Sequence, residues 1–223
     1  MIVDEHIEII RKYLPQYLST QAQDKLIKDL SENFPESQDP FKIYRNLNED
    51  NFIYQGDGII DIPFAIFDSS SGEFEVAYQE GISMSNTCDI LPDNEKTRLD
   101  IINVQFAGLF PLKKYISKLE EKNIGDDRIQ SFIESLKNNH ISNLFYLPER
   151  KHNEKVILPE SFIKFDFNVT LPTSIFKSER YDLNYNENNG DRLFSLSNYG
   201  FYLFLIKLSI HYSRIREGVF RDN

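Results

Sequence analysis

The chain has 223 residues, 40% hydrophobic and 27% charged, with a formal net charge of −10. Such proportions belong to a folded globular protein with enough length for a substantial core, and they exclude a disordered chain. The negative charge repels phosphate backbones and argues against nonspecific nucleic-acid binding.

A single cysteine cannot form an internal disulfide, and the start Met1-Ile2-Val3-Asp4-Glu5 is acidic where a signal peptide is basic. The longest apolar run, residues 201–206, is far below the ~20 residues that span a bilayer. The expectation is a soluble, cytoplasmic protein with no membrane segment. With 18 Phe, 12 Tyr and no Trp, ring packing should supply much of the core.

In chain order, Ile2, Ile7, Ile10 and Leu14 predict a helix that stops at Pro15. Ser19 or Thr20 then caps a second helix with Leu26, Ile27 and Leu30 on its buried side, ending near Phe34-Pro35. Residues 36–50 are rich in Pro, Asp, Asn and Ser, with Phe41, Ile43, Tyr44 and Leu47 as anchors, and read as a surface linker. Residues 1–50 are therefore an N-terminal helical arm and linker, and residues 51–223 an α+β domain.

From there the period changes to two. Residues 58–67 and 73–78 are strands joined by a turn at 68–72, and Pro63 places the first at a sheet edge or a bulge. A third strand, 81–85, leads into the cysteine and a charged loop at 91–98, and a fourth occupies 101–106. Pro111 opens a helix carrying Leu112, Tyr115, Ile116 and Leu119. Asp126 caps another with Ile129, Phe132, Ile133 and Leu136, so a helical insertion covers about 111–138. Strands resume at 143–147, 156–158 and 162–169, and the Asn-rich segment 181–190 is a loop. Ser197 or Asn198 caps a last helix whose stripe is Phe201, Phe204, Leu205, Leu208, Tyr212 and Ile215. Tyr202, Leu203, Ile206 and Ile210 widen that stripe, so this helix should be buried on most sides. The fold class is α+β, with a mainly antiparallel, meandering sheet, inserted helices, an N-terminal helical arm and a buried C-terminal helix.

The stretch 81–90 carries the densest chemistry. Small polar residues Ser85, Asn86 and Thr87 precede Cys88 and Asp89 at a strand end. A nucleophilic thiol needs a base, a cation or a helix N-terminus beside it, and His152 or His211 could fold back to serve. The alternative is a small apolar cysteine at a strand end. Asp89 is either a turn acceptor or an acid/base group, with Arg98 a candidate partner. The catalytic candidates are Cys88, Asp89 and His211; the ligand-binding candidates are Gln55, Asp57, Ser85, Asn86, Thr87 and Arg98. The glycines around Asp57 suit a tight entry turn or a close ligand contact. The chain has no CxxC, HxH or HExxH spacing, no GxGxxG, no Walker loop and no GxSxG elbow, so neither a metal nor a cofactor is expected. The groups Lys113, Lys114, Lys118 and Arg214, Arg216, Arg221 read as solvated helix faces and ends.

The order Gln55-Gly56-Asp57, a hairpin, Ser85-Asn86-Thr87-Cys88-Asp89-Ile90, a strand and helix, and a final helix ending His211-Tyr212-Ser213-Arg214 resembles uncharacterised bacterial proteins over residues 50–216. Those proteins share a Gln-Gly-Asp and Thr-Cys-Asp-Ile pattern. The resemblance implies an arrangement and a bacterial stress or phage-response setting, and no mechanism. More loosely, the Gly-Asp strand start and the strand ending in Ser85-Asn86 look like the PemK and MazF ribonuclease toxins, which would imply an SH3-like barrel. Those toxins place Arg-Pro before the strand where this chain has Gln79-Glu80. The expected function is a binding or accessory protein that presents the Cys88–Asp89 corner to a protein partner, a second copy or a small ligand. The alternative is a cysteine-dependent hydrolase or a PemK-like endoribonuclease.

Overall fold

The computed structural model describes residues 19–46, 52–90, 102–152, 154–177 and 191–213. The expected first helix, the loops at 91–98 and 181–190, and residues Arg98, Arg214, Ile215, Arg216 and Arg221 lie outside them. In order the elements are α1 (Thr20–Asn33), α2 (Pro40–Ile43), β1 (Tyr44–Arg45), β2 (Asp57–Asp68), β3 (Glu73–Ser83), α3 (Thr87–Ile90) and β4 (Asn103–Pro111). Then come α4 (Leu112–Glu121), α5 (Asp126–Lys137), β5 (Leu144–Leu147), β6 (Arg150–His152), β7 (Lys155–Leu158), β8 (Ser161–Pro172), a 3₁₀ turn (Thr173–Lys177), β9 (Arg192–Leu196) and α6 (Asn198–Ser213). The molecule is α+β, as its periodicities predict, and every ladder is antiparallel.

Seven strands form one sheet in the order β1-β9-β2-β3-β4-β8-β5, while β6 and β7 pair separately. The sheet is not the closed SH3-like barrel of the looser resemblance, because β1 and β5 are its two ends and share no ladder. Side chains bridge the seam instead: the Tyr44 hydroxyl donates to the Pro148 carbonyl at 2.7 Å, and Arg150 Nη1 donates to the Leu193 carbonyl.

Strand positions follow the alternation, with corrections where no turn residue marked a boundary. The expected separate strand at 81–85 is the end of β3, which runs unbroken for 11 residues. Gly81 has no side chain to interrupt it and pairs with Ile59 on one side and Gly108 on the other. Pro63 follows a register shift between Ile59 and Ile62, where Asp61 takes φ 55°. That bulge lies where β9 has already left β2, so proline removes no bond on that side.

The N-terminal segment also departs from expectation. Residues 36–46 are not a linker laid over the surface: Ile43 is fully buried, and Tyr44 and Arg45 form an edge strand on β9. Polar composition there reflects local capping, with Asp39 accepting from the Phe41 amide at 2.9 Å. Helix α1 starts as predicted, Ser19 Oγ accepting from the Ala22 amide at 3.2 Å. Helix α5 does not use Asp126 as its cap. Gly125 holds that position, and Asp126 and Asp127 sit in the first turn, where the helix dipole favours carboxylates.

Three apolar clusters fill the fold. One joins the sheet to α6 through Phe145, Phe165, Phe194, Leu203 and Phe204. A second, with Ile59, Ile62, Phe64, Val104 and Phe106, lies between β2 and the outer half of β4 and β8. The third seats α4 and α5 through Leu112, Leu136, Leu144 and Phe162. Ring-rich packing was the compositional expectation, and eight of the largest fully enclosed side chains are Phe or Tyr.

Helix α6 is capped by Ser197, whose hydroxyl accepts from the Gly200 amide at 3.0 Å. Its buried face is Tyr199, Gly200, Leu203, Phe204 and Lys207, rotated from the predicted stripe, while Ile210 and Tyr212 are exposed. A helix that is apolar on every side carries no preferred face in its sequence; docking selects one. Buried Lys207 donates to the carbonyls of Asn139 and Ile141, both at 2.7 Å, and its burial lowers its pKa to about 8. It thereby ties α6 to the end of α5. Among the described residues no helix is long and apolar enough to cross a membrane.

Candidate functional site

The end of β3 lies beside the entry to β2, and this brings two of the sequence patterns together. The Gly56 amide donates to the Ser83 carbonyl at 2.8 Å, in a turn that Gly56 makes at φ 87°. Gln55 crosses the gap, its amide donating to Thr87 Oγ1 at 3.0 Å and its Nε2 to the Met84 carbonyl at 2.7 Å. Ser85 Oγ accepts from the Gln105 amide at 2.8 Å. Asn86 caps the single turn of α3: its Oδ1 accepts from the Cys88 amide at 2.9 Å and its carbonyl from the Asp89 amide at 3.0 Å.

Gln55, Ser85, Asn86 and Thr87 thus share one corner, and their polar groups hold backbone there. Cys88 and Asp89 are exposed on its outer side, while Ile90 is buried in the second apolar cluster. His211 lies elsewhere. Its ring packs on Phe165 at 5.6 Å, in the cluster beneath α6.

Asp57 points inward from this corner and is 1% exposed. Its Oδ2 is 3.4 Å from Arg192 Nε and accepts from the Tyr54 amide at 3.0 Å, and its Oδ1 accepts from Ser195 Oγ at 2.6 Å. Burial holds the Asp57 carboxyl above its ordinary pKa against the opposing pull of Arg192, Ser195 and Tyr54. Arg192 in turn donates to the Phe52 carbonyl and lies 6.0 Å above the Tyr54 ring. This buried pair locks β9 onto β2.

A feature that sequence reasoning missed lies at the sheet seam. Between β1 and the chain after β5 is an open groove of about 830 Å³, walled by Phe41, Tyr44, Arg45, Tyr146, Arg150 and Lys151. Phe41 is 94% exposed at its rim. Its carboxylates are engaged: Glu149 pairs with Lys151 at 2.8 Å, and Glu160 accepts from Lys137 at 2.6 Å and from the Tyr146 hydroxyl. Burial would raise the Glu160 pKa, but the bonds from Lys137 and Tyr146 outweigh it and keep the carboxyl ionised below its ordinary range. Burial, then Glu160, pushes the Tyr146 hydroxyl well above its ordinary range. Arg45 lies 5.8 Å over the Tyr54 ring, and Arg150 6.0 Å over that of Tyr44. The groove was illegible because its halves come from residues 38–46 and 146–160, far apart in the chain. The only sequence signal was Arg and Lys beside aromatic residues in each half.

Among the described residues, no three His, Cys, Asp or Glu side chains cluster in a way that could hold a metal ion. The chain is an α+β protein built on an open, mainly antiparallel seven-stranded sheet. Comparison with protein-family models, curated proteins and solved structures gave no match.

Proposed function

We propose that this is a binding or accessory protein whose recognition surface is the groove at the sheet seam, and that the groove accepts an acidic protein segment bearing aromatic side chains. The observation that carries this reading is the combination of Arg45, Arg150 and Lys151 with exposed Phe41 and the buried rings of Tyr44 and Tyr146 around one concave surface. Glu149 and Glu160 also line the groove, so its side chains sum to a charge of only +1, on a chain of net charge −10. Its volume falls within the range of about 300–1,000 Å³ typical of ligand sites. Cations steer and select the anionic segment, and rings supply the apolar contact.

Fluorescence anisotropy with a labelled peptide of alternating Asp, Phe and Glu tests this. The peptide binds, added salt weakens it, and Arg45→Glu/Lys151→Glu reduces affinity at least tenfold, equivalent to about 1.4 kcal/mol. Equal affinity for a Lys-for-acid version of the peptide, or no effect of the double substitution, would defeat the proposal.

The exposure of Cys88 beside Asp89 favours a second reading, in which that corner carries cysteine-dependent hydrolysis or RNA cleavage. Under the binding reading, Cys88→Ser leaves peptide affinity unchanged and no turnover is seen with an ester panel or RNA. Turnover that disappears in Cys88→Ser would establish the catalytic reading.

A further inference from the structure

We propose that the occupant of the groove is the β2–β3 hairpin of a second copy of this chain, so that the protein assembles head to tail; this rests on the groove being the recognition surface. The hairpin is built to be received. Strand β9 pairs with β2 only at Asp57–Ile59, and β4 pairs with β3 only at Gly81–Ser83. Beyond those points, among the described residues, the two strands have only each other as ladder partners in the sheet.

The register sorts the arm's side chains. Pro63 faces Tyr78, Ala65 faces Val76 and Phe67 faces Phe74, and directly opposed residues share a face, so these six form one apolar surface. On the other face Ile62 and Phe64 are buried in the second cluster. The apolar surface has no such cover among the described residues: Phe67 is 56% and Phe74 73% exposed, their rings 5.3 Å apart, and Val76 and Tyr78 are also exposed. Contiguous exposed apolar surface of this kind marks an interaction site.

Charge identifies the occupant. The arm carries Asp61, Asp68, Glu73, Glu75 and Glu80, and residues 57–90 contain no Lys, Arg or His. Asp68 and Glu73 stand directly opposite each other at the tip, a like-charge pair that a cation would relieve. Bonds from the Ser70 amide and hydroxyl keep the Asp68 carboxyl below its ordinary pKa, so the tip stays anionic. By the same register Asp68, Glu73 and Glu75 alternate with the apolar residues and lie on the arm's other face. The groove of another copy offers what the arm lacks, Arg45, Arg150 and Lys151, with exposed Phe41 at its rim. Arm into groove is a heterologous contact, which closes as a ring or grows as a chain.

Sedimentation velocity and light scattering across a micromolar-to-millimolar range test the assembly. The intact protein self-associates, and salt weakens the association. Phe67→Ser/Phe74→Ser, which damages the arm, and Arg45→Glu/Lys151→Glu, which damages the groove, each remain monomeric with unchanged circular dichroism. An equimolar mixture of the two variants forms heterodimers, because one intact arm meets one intact groove. As a second arm variant, Glu73→Lys/Glu75→Lys loses self-association and regains it with the charge-reversed groove variant. A monomeric intact protein, or association that neither variant weakens, overturns the proposal. If the intact protein stays monomeric while the acidic peptide still binds the groove, the second copy is refuted and the recognition surface stands; if neither binds, both fall.

Discussion

Replacing Asp57 with Asn lowers the free energy of unfolding by about 1–3 kcal/mol, because the amide nitrogen cannot accept from the buried Tyr54, Ser195 and Arg192 donors as the second carboxylate oxygen does. Both side chains of the pair are 1% exposed, so water cannot take over the role of the lost carboxylate. The loss is large against a total stability of about 5–15 kcal/mol for a typical domain. It also propagates, since β1 reaches the sheet only through β9, and β9 is held to β2 at the site of the pair. Urea denaturation followed by circular dichroism measures it. A double replacement, Asp57→Leu/Arg192→Met, removes both charges and is expected to be less damaging than Asp57→Asn alone, because an apolar pair has no desolvation penalty. Were Asp57→Asn as stable as the parent, the pair would not be the lock described here.

The pH dependence has a definite sign. The folded Asp57 pKa lies above its ordinary value of 3.8, so between those two values the folded protein holds the proton more tightly than the unfolded chain. The contribution of this group to stability is fully present below the unfolded pKa and declines as pH rises through the folded one. Acid therefore does not weaken the protein through Asp57. In Asp57→Asn that part of the pH profile is flat.

Gly200→Ala is the second large effect. A Cβ at Gly200 would overlap the Ile43 carbonyl oxygen and lie 3.1 Å from its carbon, which is backbone and cannot rotate away. Alanine improves helix propensity by about 1 kcal/mol, yet overpacking of this kind costs about 1–3 kcal/mol or more, and here the clash dominates. Thermal unfolding is expected to shift down. Since Ile43 immediately precedes Tyr44 and Arg45, displacement of α6 from it also disturbs one wall of the groove, and acidic-peptide affinity falls in the variant that remains folded. A variant with unchanged melting temperature would show that α6 docks less tightly than this contact requires.

These two sites show where sequence reasoning reached and where it stopped. Gly56 and Asp57 were singled out as a turn or ligand contact, and the turn is there, but the partner of Asp57 comes from Arg192 across 135 residues of chain, a pairing no local pattern encodes. Gln55 and residues 85–87 were each singled out within their own segments, where local turn chemistry is legible, but their meeting in one corner was not. The proposed base His211 was not delivered to Cys88, because the face of α6 was set by its docking on the sheet. Polar residues 36–46 read as linker since their few apolar anchors, Ile43 and Tyr44, gain meaning only when β9 is present to pair with them.

By itself the sequence determined the α+β class, most strands and helices, the aromatic core and the acidic surface. Each of these follows from residue type and near-neighbour spacing, where period, capping and turn chemistry act over a few residues. Tertiary structure alone decided the sheet order, the open seam with its cationic groove, the buried pairing of Asp57 with Arg192, and the bare apolar face of the hairpin. Those depend on which distant segments meet and on which strand edges are left without a neighbour, and contacts between segments far apart in the chain leave no periodic trace in it.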